Sequence, residues 1–359
     1  MSRNFMVCWE IGSEFEYDFS AVIDCASFPS WLCFGEDQLL TFSGRTSIDF
    51  VLDDIKIPIK ACVPSYCCES MLAPFRMRGI PLSFYAVDFY DVISLDFSDA
   101  IEACNVLLIA NYFGYKSSPF PAEVIQKFRA NGGIVIYDAT HSLFIDDLPL
   151  NDCDYVVASL RKWGPLLSGG LCCKMKGVFV NHSLLPVDDV FLTKKRKAMQ
   201  EKFNYLQGDF SIQKKSFLNF FAETNHQFEM NYQHVGLDST SLSILNSWNR
   251  KAIQQKRCEN ASLLNAEISQ ISKVRPLQCL SSGDCPLFFP IIIENGKRDK
   301  VRKYLVQNNI YCTVHWPHNN EDFSSNIFAQ ELSLTCDQRY DADDMNKVIL
   351  FLKKSLMET

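Results

Sequence analysis

Between Gly133 and Gly170 the chain places two short apolar runs, IVIY at 134–137 and YVVA at 155–158, and each stops abruptly at polar residues. Short runs rich in β-branched and aromatic residues, bounded by glycine and polar residues, read as buried strands. The first ends in Asp138, with His141 three residues further on; the second ends in Ser159, with Lys162 three residues further on. Before them, Ala122, Val124, Ile125, Phe128 and Ala130 form the apolar side of a helix that Asn131-Gly132-Gly133 closes. Earlier still, 106–110 is another buried strand, ending at Asn111. This alternation predicts a mainly parallel sheet with helices on both faces. Ligands of such sheets bind beyond the carboxyl ends of the strands. Asn111, Asp138 and Ser159 all fall there, so one shared site is expected.

With 359 residues the chain can bury a large core and is expected to form two domains, 1–238 and 239–359. A hydrophobic share of 47% excludes a disordered chain, and a net charge of −7 speaks against a nucleic-acid binder, which needs a basic face. Fifteen cysteines, an odd count with no signal-peptide pattern, point to free thiols in a reducing compartment, most of them filling core space. No C-x-x-C spacing suggests zinc, and no apolar run approaches a membrane span. A cytoplasmic protein with no membrane partner and no metal is expected.

A carboxylate and a lysine at the ends of neighbouring buried strands are the pieces that hold pyridoxal 5'-phosphate. The lysine forms an imine with the aldehyde, and the carboxylate keeps the pyridine nitrogen protonated so that the ring accepts electrons. Lys162 and Asp138 take those roles. Ahead of them, Ser43-Gly44-Arg45-Thr46-Ser47 precedes Ile48, Val51, Leu52 and Ile55 at helical spacing. A small polar stretch before a helix leaves N–H groups for a phosphate, with the helix dipole behind it. An ordinary N-cap is the other use of the same residues.

These strings, with IGSEF near residue 11, VPSY at 63, DATHS, SLRKW, VHWP at 314 and LSLTCDQRY near the end, resemble the DegT/DnrJ/EryC1/StrS group of fold-type-I pyridoxal-phosphate enzymes. The resemblance implies a large domain with a mainly parallel seven-stranded sheet, a smaller α+β C-terminal domain, and a homodimer with shared sites. It implies transfer of an amino group from an amino acid, usually L-glutamate, to a nucleotide-linked keto-sugar. It assigns cofactor contacts to Gly44, Arg45, Thr46, Tyr66, Asn111, Asp138, His141, Ser159 and Lys162. Tyr66 would stack on the ring, His315 would sit on the substrate side, and Asn231 would reach the partner's site. Many members have the phosphate-binding serine five residues before the lysine; here Ser159 is three before Lys162. Other readings are a lyase or desulfurase, for which Cys67 or Cys68 would be the thiol, and a non-catalytic homologue.

Elsewhere, 79–84 and 311–316 read as strands, 96–103 as a helical turn, and 239–271 as one long helix. Arg339 is expected in a surface ion pair. The stretch 193–235 is polar and helical, yet holds Phe203, Tyr205, Phe217, Phe220, Phe221 and Phe228. Six aromatics there suggest a surface covered by another chain.

Overall fold

The computed structural model describes residues 9–89, 93–97, 100–117, 120–316 and 327–358. The first half of the chain is β1 (Ile11–Gly12), β2 (Asp37–Thr41), α1 (Gly44–Asp54), β3 (Ala61–Pro64), α2 (Glu69–Met77), β4 (Leu82–Phe89), β5 (Ile93–Asp96), β6 (Val106–Ala110), α3 (Ala122–Ala130), β7 (Ile134–Asp138), β8 (Tyr155–Ser159) and β9 (Gly170–Lys174). Two long helices follow, α4 (Asp189–Leu206) and α5 (Lys214–Met230). The remainder is α6 (Ser239–Ser247), α7 (Arg250–Ile268), β10 (Val274–Pro276), β11 (Phe289–Ile293), α8 (Arg298–Gln307), β12 (Ile310–Tyr311), α9 (Ile327–Gln330), β13 (Glu331–Leu334) and α10 (Ala342–Glu358).

The central sheet has the order β2-β9-β8-β7-β6-β3-β4-β5. Strands β8, β7, β6, β3 and β4 run parallel to one another. Strand β9 opposes β8, and β2 opposes β9, so β2 shares the direction of the five; β5 opposes β4. Every residue of β6 and β8 is buried, because both sheet faces are covered. Along β6, Val106 and Leu108 pack with α1 and α2, while Leu107 and Ile109 join the core on the opposite face, the period-2 alternation of a strand.

Among the described residues the central sheet has eight strands where seven were expected. Strand β5 is the hairpin partner of β4, and its ISLD sequence alternates between buried and open positions, so no apolar run marks it. The helical turn expected at 96–103 is correspondingly cut back: Asp96 ends β5, 98–99 lie outside the described residues, and only 100–103 turn. The strand expected at 79–84 runs later, at Leu82–Phe89, and that at 311–316 is confined to Ile310–Tyr311. The long helix expected from 239 to 271 is two helices. Trp248 is extended, and the Asn249 side chain accepts from the Ala252 N–H, capping a new helix start.

A second core lies around β10-β11-β13 and helices α8 and α10. Helix α7 serves both cores: Ile253 belongs to the large one, whereas Ala261, Leu264 and Ile268 belong to the small one. The N-terminal arm crosses to this side through β1, which pairs in parallel with β12. Ion pairs fix the arm to α4 and α5: Glu10 meets Lys202 at 2.8 Å and Lys214 at 2.7 Å, and Glu14 meets Lys195 at 3.5 Å.

The aromatics of 193–235 are accommodated within the chain. Phe217 and Phe221 pack with Leu167, Ala198 and Met199, and Phe228 with Phe42, Val187 and Phe191. Phe203, Tyr205 and Phe220 are half-buried. These rings need no second subunit to cover them, so that ground for expecting an interface falls away.

Candidate active site

Register brings the expected polar residues to one edge of the sheet. Ala110 pairs with Asp138, Asp138 with Val157, Ser159 with Gly170, and Gly170 with Thr41. Beyond that edge opens a cleft of about 650 Å³, its mouth included, lined among others by Gly44, Arg45, Asn111, Asp138, His141, Ser159 and Lys162.

The first wall is the start of α1. Ser43 caps the helix, its Oγ accepting from the Thr46 N–H at 3.2 Å, while its carbonyl accepts from the Ser47 N–H at 3.0 Å. Among the described residues nothing engages the N–H groups of Gly44 and Arg45, which therefore keep the anion-binding character of a helix start. A Cβ at 44 would crowd Ser159, lying 3.0 Å from its Cβ and 3.3 Å from its nitrogen. The close approach sets Ser159 beside the free N–H groups. Its own N–H donates to Thr140 Oγ1 at 2.9 Å, and its hydroxyl has no partner among the described residues.

Thr46 does not face the cleft. It is fully buried, with its hydroxyl 3.0 Å from Ser43 Oγ and its N–H taken by the cap, so its side chain serves the helix start rather than a ligand.

The second wall joins Asp138, His141 and Lys162. Asp138 is buried at the end of β7, and its Oδ1 accepts from the Thr140 N–H at 2.8 Å; the other oxygen has no partner among the described residues. Burial raises its pKa above the ordinary carboxylate value, against the opposing effects of Thr140 and Lys162. Such a carboxylate favours a cation placed beside it. His141 Nδ1 accepts from the Phe113 N–H at 3.1 Å, so the neutral ring carries its proton on Nε2. Nε2 lies 3.4 Å from Lys162 Nζ. Burial, reinforced by Lys162 and His315, lowers the His141 pKa well below that of a free imidazole and keeps the ring neutral.

Thr140, absent from the expected site residues, ties this wall together. Its N–H serves Asp138, its hydroxyl holds the end of β8, and its carbonyl accepts from Trp163 Nε1 at 2.8 Å. Lys162 closes a short 3-10 turn at 160–162, and Trp163 beside it is fully buried.

Other expected residues sit differently. Tyr66 is 1% exposed, its hydroxyl donates to the His315 carbonyl at 2.5 Å, and its ring is enclosed by Phe89, Tyr112 and Trp316. Trp316, unlike Tyr66, borders the cleft, stacked on His141 with centroids 5.6 Å apart; Pro317 of the same motif lies outside the described residues. Asn111 lines the cleft but spends its amide on the local turn, accepting from Gly114 N–H at 3.3 Å and donating to the Tyr115 carbonyl at 3.0 Å. His315 lies behind the cleft, its ring centroid 5.7 Å from that of His141 and its Nδ1 3.0 Å from Ser333 Oγ. Asn231 is exposed at the end of α5 and borders a separate groove beside Leu185, Val190 and Gln227. Arg339 is committed to Asp337 at 2.8 Å and Glu16 at 3.1 Å, an ion pair more buried than the expected surface one. Phe228 and Arg161 also line the cleft, and nothing in their local sequence announces it.

These residues fit pyridoxal phosphate. N–H groups and a hydroxyl without partners among the described residues, a buried carboxylate with one oxygen likewise unengaged, and a lysine share the same cleft.

No family model and no curated protein matches this sequence. Solved structures do resemble it. The aminotransferase PseC of Helicobacter pylori, involved in the biosynthesis of pseudoaminic acid, is 15% identical, with 98% of this chain and 100% of that one covered at a TM-score of 0.68. A putative sugar aminotransferase of Streptococcus pneumoniae, in its PLP form, is 12% identical, covering 98% and 99% at 0.67. The aminotransferase TlmJ of Streptoalloteichus hindustanus is 13% identical, covering 89% and 86% at 0.62. At these identities the likeness establishes the fold: a mixed α/β architecture shared with aminotransferases of fold type I.

Proposed function

We propose that this chain is a pyridoxal-phosphate-dependent aminotransferase that moves an amino group from an amino acid, L-glutamate being the usual donor of the resembling group, to a nucleotide-linked keto-sugar. The observation that carries the reading is the meeting of Lys162, His141 and Asp138 with the free start of α1 in one cleft.

Bound there, pyridoxal phosphate supplies an aldehyde for Lys162 to capture and a ring that draws electrons from the carbon bearing the donor's amine. Asp138 holds the positive charge of the ring nitrogen. Thr140 fixes the aspartate by its N–H and the end of β8 by its hydroxyl. The N–H groups of Gly44 and Arg45 and the Ser159 hydroxyl receive the phosphate. His141 aims an Nε2–H at Nζ of Lys162, which favours the nitrogen when it has a lone pair to offer. Displaced by the donor's amine, the free Nζ of Lys162 would accept the donor's α proton and later return it. Trp316 and Phe228 narrow the cleft and limit the water that reaches it.

Among the rivals, a desulfurase needs an ionisable, accessible thiol. Cys67 is buried, and burial raises its pKa well above that of a free thiol, so it does not serve; Cys68 is half-buried and lines the cleft, its Sγ 2.8 Å from Ser70 Oγ, and is the thiol that a desulfurase would use.

The reading includes a cytoplasmic homodimer in which Asn231 approaches the partner's cofactor. Leu185, Val190 and Met230 are 59%, 57% and 63% exposed in the neighbourhood of Asn231, and a second copy would cover them. Mixing an inactive Lys162 variant with an inactive Asn231 variant should restore part of the activity if sites are shared. No recovery despite subunit exchange would contradict the shared site. The test of the activity is a half-reaction: protein loaded with pyridoxamine phosphate should regain the yellow absorbance of lysine-bound cofactor with a nucleotide keto-sugar. Failure with every keto-sugar tried, while 2-oxoglutarate restores the colour, would remove the sugar from the assignment.

A further inference from the structure

Arg161 stands immediately before Lys162, lines the same cleft, and has no hydrogen-bond partner among the described residues. Its Nε is buried, and its guanidinium carbon lies 3.6 Å from the centroid of the Phe228 ring. Arg45, on the first turn of α1, also has a buried Nε without a partner, and its Nη1 donates to the Phe228 carbonyl at 2.6 Å. Two guanidinium groups are thus held against one residue of α5, beside the free N–H groups of α1 and the Ser159 hydroxyl. Ser159 is 8% exposed as a residue, and its hydroxyl has no hydrogen-bond partner among the described residues.

The charges of this corner favour an anion. Burial lowers the Arg161 pKa to about 10; Glu14 opposes the effect and Arg45 adds to it. Glu14 is already engaged, with one oxygen 2.9 Å from Asn225 and the other 3.5 Å from Lys195. The two guanidinium groups repel each other, and among the described residues neither forms an ion pair with a carboxylate. Guanidinium forks match phosphate oxygens in shape as well as in charge. A carboxylate would leave part of the charge and several of the donors unanswered, whereas a phosphate dianion answers both.

We propose that Arg161, together with Arg45, supplies the counter-charge for a phosphate monoester dianion seated at the start of α1 against Ser159. The inference rests on the cofactor reading above and assigns that dianion to the cofactor's phosphate. Both positive charges then come from the chain that provides Lys162. Arg161 acts as a binding residue for the phosphate, and its effect should be confined to ligands that carry one.

The test is titration of the full-length, cofactor-free protein with pyridoxal phosphate and, separately, with pyridoxal, which has the same aldehyde and ring but no phosphate. Absorbance of the lysine-bound species is the readout, and inorganic phosphate serves as competitor. Arg161→Gln should weaken pyridoxal phosphate by about 10- to 100-fold, the value of one or two charge-assisted hydrogen bonds, and leave pyridoxal within about twofold. Inorganic phosphate should slow loading of the unaltered protein and lose that effect in the variant. Equal losses for both ligands, or no loss for either, would overturn the assignment. If Arg161→Gln does not fold, Arg161→Lys is read by the same ratio, since it keeps the charge and loses the fork. If the unaltered protein forms no coloured species with either ligand, the cofactor reading fails. Calorimetry with inorganic phosphate then decides the anion site by itself: binding lost in Arg161→Gln retains it, and binding absent or unchanged refutes it.

Discussion

Replacing Asp138 by Asn separates what the carboxylate does for the fold from what it does for a bound ring. The amide keeps an acceptor oxygen, so the 2.8 Å bond from the Thr140 N–H survives, and only the charge is lost. In the cofactor-free protein that charge is a burden, because burial raises the Asp138 pKa above its ordinary 3.8. A carboxyl whose folded pKa is raised costs stability as pH rises from the unfolded value through the folded one. At neutral pH the Asn variant should therefore be no less stable than the parent, and the difference should vanish below about pH 3.8. With cofactor bound the sign reverses. Removing one partner of a buried charge pair typically costs about 3–5 kcal/mol, or roughly two to four decades in rate or affinity. Thermal melts with and without cofactor, beside single-turnover rates, give both quantities. A cofactor-free variant destabilised by more than about 2 kcal/mol would make Asp138 structural, and turnover within about tenfold of the parent would mean that another group faces the ring.

Tyr66→Phe removes the hydroxyl that donates to the buried His315 carbonyl and should cost about 1–2 kcal/mol in urea unfolding, while the spectrum of bound cofactor stays unchanged because the ring lies outside the cleft. Glu14 tests the arm. Burial raises its pKa, but Lys195, Asn225 and Arg161 together outweigh that and lower it from 4.5 to about 2. Its stabilising contribution is present in full above about pH 4.5 and is lost as pH falls towards about 2. Glu14→Gln should lower the urea midpoint at neutral pH and flatten its decline across that window; an unchanged acid profile would mean the arm is held by other contacts.

What could be read from the sequence was position along the strands. The runs ending in Asp138 and Ser159 are buried strands because β-branched residues fill a sheet covered on both faces, and their carboxyl ends had to share an edge. The start of α1 was equally plain from Ser43 and the apolar spacing behind it. Side-chain direction was not legible. Whether Tyr66 or Trp316 borders the cleft depends on a hydrogen bond to His315, 249 residues further along the chain. Asn111 and Thr46 lie where expected along the chain, but local turn and cap bonds take up their polar atoms. Phe228 reaches the cleft from α5 and meets Arg161 there, a contact between distant parts of the chain that no local pattern marks. Strand β5 escaped because a half-open edge strand carries no apolar run, and the break between α6 and α7 because one Asn cap interrupts an otherwise helical pattern.

The central claim is that Lys162 carries pyridoxal phosphate. Purified protein incubated with the cofactor and reduced with borohydride should lose its yellow absorbance and gain one phosphopyridoxyl group, which peptide mass spectrometry should locate on Lys162, three residues after Ser159. A label on another lysine, or no fixed cofactor while the protein remains folded, would contradict it.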